Sequence, residues 1–134
     1  SCLCFEITES AAVSNLEKAQ TFIQRLREIG CGISLDDFGA GLSSFAYLKN
    51  FEVDLLKIDG GFIQDITENR ISESMVAAIT QVAKVMNLET VAEYVESKEA
   101  SKLITELGVD FAQGHFIGKP LALDTVIESL STLD

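Results

Sequence analysis

Asp36 and Asp37 stand side by side where an apolar run gives way to glycines, in Gly32-Ile33-Ser34-Leu35-Asp36-Asp37-Phe38-Gly39-Ala40-Gly41. Neighbouring side chains on a strand point to opposite faces, so such a pair normally splits, one in and one out. At the frayed end of a strand, just before a glycine turn, both carboxylates can instead converge on one rim. There they repel strongly unless a cation neutralises them. The pair is therefore either part of a metal site or a solvated turn in which one aspartate caps the next helix. Similar residues recur along the chain: Glu6 and Glu9, Lys57 and Asp59, Glu93 and Glu96, and Gln113. Carboxylates, a lysine and an amide gathered on one edge suit metal or phosphate chemistry. Taken singly, each has a plainer reading. Glu6 and Glu93 could be exposed strand-end charges, Lys57 could snorkel to the surface, and Asp59 reads best as a turn cap.

The elements that must position these residues alternate between strand-like and helix-like segments. Strands are expected at Leu3–Thr8, up to Asp36-Asp37, at Asp54–Asp59, at Glu89–Glu93 and at Phe111–Phe116. Between them, a helix is expected from Asn15 to Ile29, with Ser14 and Glu17 as a capping box and Gly30 as its stop. A short amphipathic stretch runs through Phe45, Tyr47 and Leu48. A long helix covers Ile71–Met86, a third runs between Ser97 and Gly108, and a last one covers Leu123–Leu130. Such alternation implies parallel strands covered by helices, an α/β fold with no linker or low-complexity break. Polar groups close the C-terminal half of every strand, which favours a TIM-like barrel, whose active site lies on that rim, over a doubly wound sheet with one switch point. A full barrel needs roughly 250 residues, so five βα units over 134 residues read as its C-terminal part.

Composition narrows the function classes. With 47% hydrophobic residues the chain is globular rather than disordered. No apolar run reaches membrane-spanning length and no signal peptide is expected. A net charge of −11 argues against broad DNA or RNA binding, and any phosphate ligand would need metal cations beside it. Cys2, Cys4 and Cys31 have no metal-ligand spacing with the single His115 and read as buried free thiols in a reducing cytoplasm.

Five segments together resemble the EAL-domain phosphodiesterases that hydrolyse cyclic di-GMP: Phe5-Glu6-Ile7-Thr8-Glu9-Ser10; Asp36-Asp37-Phe38-Gly39-Ala40-Gly41 with Ser43-Ser44; Asp54-Leu55-Leu56-Lys57-Ile58-Asp59; Ala92-Glu93-Tyr94-Val95-Glu96; and Asp110-Phe111-Ala112-Gln113-Gly114-His115, closing with Pro120. The resemblance implies a single domain portion over residues 1–134, the C-terminal five units of a (β/α)8 barrel. It implies that Glu6 and Asp36 ligate a first divalent metal, Mg2+ or Mn2+, and that Asp37 joins the second. Lys57 would contact the attacking water and Glu93 would be an essential carboxylate. Glu9 would hold the loop after Asp37, while Gln113 and Glu96 would support the substrate site. The reaction implied is hydrolysis of cyclic di-GMP to linear pGpG by two-metal activation of water.

Several features depart from the family pattern. The Glu-Ala-Leu motif, its following arginine and the asparagine-bearing strand, which precede these segments in the family, do not occur in the sequence. The chain alone is accordingly expected to be inactive, and to pair with the rest of its barrel or with another copy. Tyr94 stands where the family commonly has glycine, Gly60-Gly61 follow Asp59, and His115 replaces a usual tyrosine and reads as a packing or surface residue. The parent protein is expected to carry sensory or GGDEF-type domains and to work in the bacterial cytoplasm, where it could be the cytoplasmic part of a larger membrane-anchored protein. The alternative within the family is a degenerate domain that senses the nucleotide or scaffolds a partner. A phosphoacceptor receiver domain, suggested by Asp36-Asp37 and Lys119-Pro120, fails because no aspartate lies between Asp65 and Asp110 to end a central strand.

Overall fold

A computed structural model describes residues 3–41 and 44–130, Ser44 by its backbone alone. Cys2 and Ser43 lie outside them. Five strands form one sheet in the order β1 (Cys4–Thr8), β2 (Gly32–Phe38), β3 (Leu55–Ile58), β4 (Glu89–Ala92) and β5 (Phe111–Ala112), and every neighbouring pair is parallel. Sequential order without a reversal is the arrangement of a barrel wall, and it excludes a switch-point sheet.

Helices α2 (Leu16–Glu28), α5 (Arg70–Val85) and α6 (Lys98–Glu106) cover one face. Their Ile23, Val76, Ile79, Ala83 and Ile104 pack with Ile33, Leu35, Leu56, Ile58 and Ala92 in a continuous core. Alternation then sends Glu6, Ser34, Asp36 and Lys57 to the opposite face. Two carboxylates, half-buried Asp54 and exposed Asp110, lock the far end of the sheet. Asp54 Oδ2 accepts from Ile33 N at 2.8 Å and from the Arg27 guanidinium at 3.0 Å. Asp110 Oδ2 accepts from both the backbone and the hydroxyl of Thr90 at 2.8 Å.

The structure departs from the sequence expectation at four places. Residues Glu9–Ser14 form a separate helix, α1, capped by Thr8, so Ser14 caps nothing and its hydroxyl donates to Ala11 O. Asn15, at φ −151°, is the cap of α2, accepting from Lys18 N at 3.1 Å. The fifth strand stops at Ala112 because the chain turns at Gly114, whose carbonyl accepts from Ile117 N and Gly118 N. Gly60–Gln64 form a further short helix, α4, after the one-turn α3 (Ser44–Leu48). Neither cysteine is buried as expected: Cys4 is exposed because β1 lies at the sheet edge with a neighbour on one side only, and Cys31, just ahead of β2, is half-buried.

The last helix, α7 (Leu123–Leu130), buries none of its residues. With Phe111, Phe116, Ile117 and Leu121 it leaves a run of exposed apolar side chains on and after β5. Among the described residues, no helix is long and apolar enough to cross a membrane.

Candidate functional site

The Asp36-Asp37 pair converges by a device that the sequence does not advertise. The register between β2 and β3 shifts between Leu35 and Phe38, and Asp37 takes a left-handed φ of 55°. A bulge of this kind breaks the two-residue alternation and re-aims a side chain, and aspartate tolerates the conformation better than most residues. Carboxylate oxygens of Asp36, Asp37 and Glu93 consequently lie within 4.8 Å of one another. Phe38 then anchors the turn from beneath, fully buried and edge-on to Phe45 with ring centroids 5.6 Å apart.

Lys57 sits among these acids. It is 5% exposed, and its Nζ lies 2.8 Å from Glu93 Oε1, 3.0 Å from Glu6 Oε1 and 3.6 Å from Asp36 Oδ1. Four adjacent strands therefore contribute to one cluster at their C-terminal ends. Burial disfavours the lysine charge, but hydrogen bonds to Glu93 and Glu6 and the charges of Glu93 and Asp36 outweigh it and hold its pKa well above the ordinary value. Glu93, 8% exposed, is also pushed up. Burial is the main cause, and the charges of Asp36 and Asp37 reinforce it against the pull of Lys57. Asp37 is raised by desolvation and by Asp36 and Asp59. One lysine thus leaves the carboxylates short of positive charge.

The remaining candidates occupy the surroundings of the cluster. Glu9, 7% exposed, accepts from Gly39 N at 3.1 Å through Oε2 and so ties α1 to the turn after Asp37. Asp59 caps α4, accepting from Gly61 N at 2.9 Å. Gln113 is exposed and engages β4 through its backbone: its N donates to Ala92 O at 2.8 Å and its carbonyl accepts from Val95 N at 3.0 Å. Glu93, Glu96, Gln113, exposed His115 and Lys119 line a cavity of about 400 Å³. The fold does not bring Glu96 or Gln113 into the lysine-centred cluster. A second cavity of about 570 Å³ opens behind Asp37 between Glu9, Tyr47 and Asp59. Tyr94 also lines the first cavity; only its position next to Glu93 signals this in the sequence.

The family model of the EAL domain matches residues 1–120. The chain belongs to the EAL domain family. It is 48% identical over 127 residues to the cyclic di-GMP phosphodiesterase PdeF of Escherichia coli (strain K12), covering 94% of this chain and 17% of that protein. The cyclic di-GMP phosphodiesterase PdeB of Shewanella oneidensis is 40% identical, with 98% and 15% covered. Among solved structures, the PaMucR phosphodiesterase in complex with c-di-GMP superposes at a TM-score of 0.87 with 36% identity, over 92% of this chain and 50% of that one. The EAL domain of Mycobacterium smegmatis DcpA gives a TM-score of 0.87 with 34% identity, over 96% and 58%. This EAL chain therefore spans about half the length of the solved structures and about a sixth of the curated relatives. Its five-strand parallel sheet is a segment of the EAL barrel fold.

Proposed function

We propose that this chain forms the C-terminal part of the catalytic rim of an EAL phosphodiesterase that opens one phosphodiester of cyclic di-GMP to give linear pGpG. The observation that carries the reading is the buried Lys57 ammonium held at 2.8 Å from Glu93 and 3.0 Å from Glu6, beside the Asp36-Asp37 pair. Close carboxylates short of positive charge are the donor set a hard divalent cation selects, Mg2+ or Mn2+. By the resemblance Glu6 and Asp36 would hold a first ion and Asp37 would join a second; in the structure Glu93, rather than Glu6, has an oxygen within 4.8 Å of those of both aspartates. Such ions, when bound, neutralise phosphoryl oxygens and lower the pKa of water.

The chain's own groups have distinct tasks. Lys57 remains protonated; with two hydrogens on Glu93 and Glu6, its third would be directed at the incoming water or at charge developing on the phosphoryl group. Glu93 gives one oxygen to Lys57, and its carboxyl, whose affinity for protons is already raised, would accept a proton. Glu9 holds the Gly39 turn and with it the direction of Asp37. The cavity beside Glu93, lined by Glu96 and Gln113, lies in the size range of small-molecule sites and is read as taking part of the nucleotide.

Residues 1–134 are read as one portion of a single EAL domain. Support comes from the length of the relatives, the open edges of β1 and β5 and the uncovered apolar side of α7. The remaining strands of the barrel, or a second copy, would cover those surfaces. By itself the chain is expected to turn over negligibly. The parent is read as a longer bacterial protein acting in the cytoplasm, with sensory or GGDEF-type domains. Retention of Glu6, Asp36, Asp37, Lys57 and Glu93 together supports hydrolysis over nucleotide sensing. The test is incubation of the full-length protein with cyclic di-GMP and Mn2+, followed by chromatography for pGpG. Product formation abolished by Asp36→Asn or Lys57→Met supports the reading. Tight binding of cyclic di-GMP without turnover assigns the protein to sensing instead.

A further inference from the structure

Tyr94 follows Glu93 directly and has a left-handed φ of 56°. Among the described residues only Asp37 and Asn87 share that conformation without being glycine, and both carry short polar side chains that tolerate it. An aromatic residue does not, and strain of this kind persists only where the surroundings over-determine it. Here the surroundings are two glycines. Gly60, buried at the start of α4, lies under the Tyr94 ring so closely that a Cβ there would stand 2.8 Å from Cε2 and closer still to Cδ2. On the other side Gly114 rests against Val95, whose backbone nitrogen and carbonyl carbon a Cβ would strike. Val95 is pinned further, its N donating to Gln113 O at 3.0 Å and its carbonyl accepting from Phe116 N at 3.1 Å.

Burial does not account for the ring, since Tyr94 is 55% exposed. What its contact does is join two strand ends. Gly60 follows β3, which carries Lys57, and Tyr94 follows β4, which leads into Glu93; those two side chains meet at 2.8 Å. We propose that Tyr94 is a positioning residue: its ring, seated on Gly60, sets where the chain leaves β4 and thereby how Glu93 approaches Lys57. The two departures from the family pattern, a bulky residue at 94 and a glycine at 60, are then one feature, each requiring the other.

The consequence for rate rests on the phosphodiesterase reading. The experiment compares Y94A, Y94F, G60A and G60A/Y94A in the full-length protein by steady-state kinetics with cyclic di-GMP and Mn2+, and by thermal unfolding. Y94A is expected to lower kcat about tenfold with KM nearly unchanged, because a misplaced group slows chemistry more than binding. Y94F, which keeps the ring, is expected to retain the rate. G60A displaces the ring and loses activity, while G60A/Y94A is no worse than Y94A alone, since the clash is gone. Multiplying losses, an unchanged kcat in Y94A, or a raised KM at constant kcat each overturn the proposal. Melting reads the contact without turnover: G60A is expected to lower Tm in the parent and not in the Y94A background. If the parent does not hydrolyse cyclic di-GMP, the phosphodiesterase reading fails by itself, and additive Tm shifts then dispose of the ring-on-glycine contact.

Discussion

Replacing Lys57 with methionine removes the cation from the cluster and keeps most of the aliphatic stem. Glu6 has half of its side chain in solvent and loses little. Glu93 has only 11% of its side chain exposed and is left as a buried charge facing Asp36 and Asp37. Breaking such a pair costs about 3–5 kcal/mol where the orphaned charge must stay ionised. Here the loss has a ceiling, because Glu93 can take a proton instead. At about 1.36 kcal/mol per pH unit, neutralising a carboxyl of ordinary pKa 4.5 at pH 7 costs about 3.4 kcal/mol. At pH 5 the same ceiling falls to about 0.7 kcal/mol. Removing the lysine also removes its own desolvation, so the expected loss is about 2–3 kcal/mol at pH 7 and under about 1 kcal/mol at pH 5. The sign follows from linkage. In the variant the folded pKa of Glu93 rises further above its unfolded value, so stability is retained below the unfolded value and lost as pH rises through the folded one. Urea unfolding at the two pH values measures this, as a midpoint shift of about 1 M at pH 7 and little at pH 5. Glu93→Gln in the Lys57→Met background should recover most of the loss. An equal loss at both pH values, or no recovery, would refute the electrostatic account and leave lost packing as the cause.

Four further outcomes are expected. Glu9→Ala strands the Gly39 N–H and lowers stability by about 1–3 kcal/mol, whereas Glu9→Gln, which keeps an acceptor, loses less; denaturant midpoints separate the two. Asp59→Ala removes the cap of α4 and costs about 1 kcal/mol by the same measurement. Mg2+ or Mn2+ raises the melting temperature of the parent, by the equivalent of about 2.7 kcal/mol at a hundred times the dissociation constant, and Asp36→Asn removes that response; identical responses in both proteins would count against the acidic cluster as the site. Without metal, the raised pKa values of Glu93 and Asp37 mean that the folded state binds more protons than the unfolded one, so stability grows as pH falls from neutrality through those values and flattens when metal is added. Melting curves across that range check it.

The alternation of strands and helices is legible in the sequence, because burial of a sheet face against helices imposes apolar runs and helical periodicity. The sequence also determined which residues end the strands, and hence the candidates Glu6, Asp36, Asp37, Lys57 and Glu93. It misplaced the cap of α2 because Ser14 and Glu17 satisfy a local pattern that a preceding short helix, invisible to periodicity, had already occupied. It overran β5 because the chain turns at Gly114, and there Gly114 also packs closely against Val95, a contact between residues distant in sequence.

How the charges are shared depends on contacts between strands. Asp54 and Asp110 carry the same carboxylate group as the rim aspartates, yet they latch strand starts to Arg27, Ile33 and Thr90. The bulge at Asp37, the burial of Lys57 among three acids, and the seat of Tyr94 on Gly60 all depend on registers and distances between strands. Local sequence specifies which group each strand offers; electrostatic coupling falls off with distance, so what the groups do to one another is set by the fold that brings them within a few ångströms.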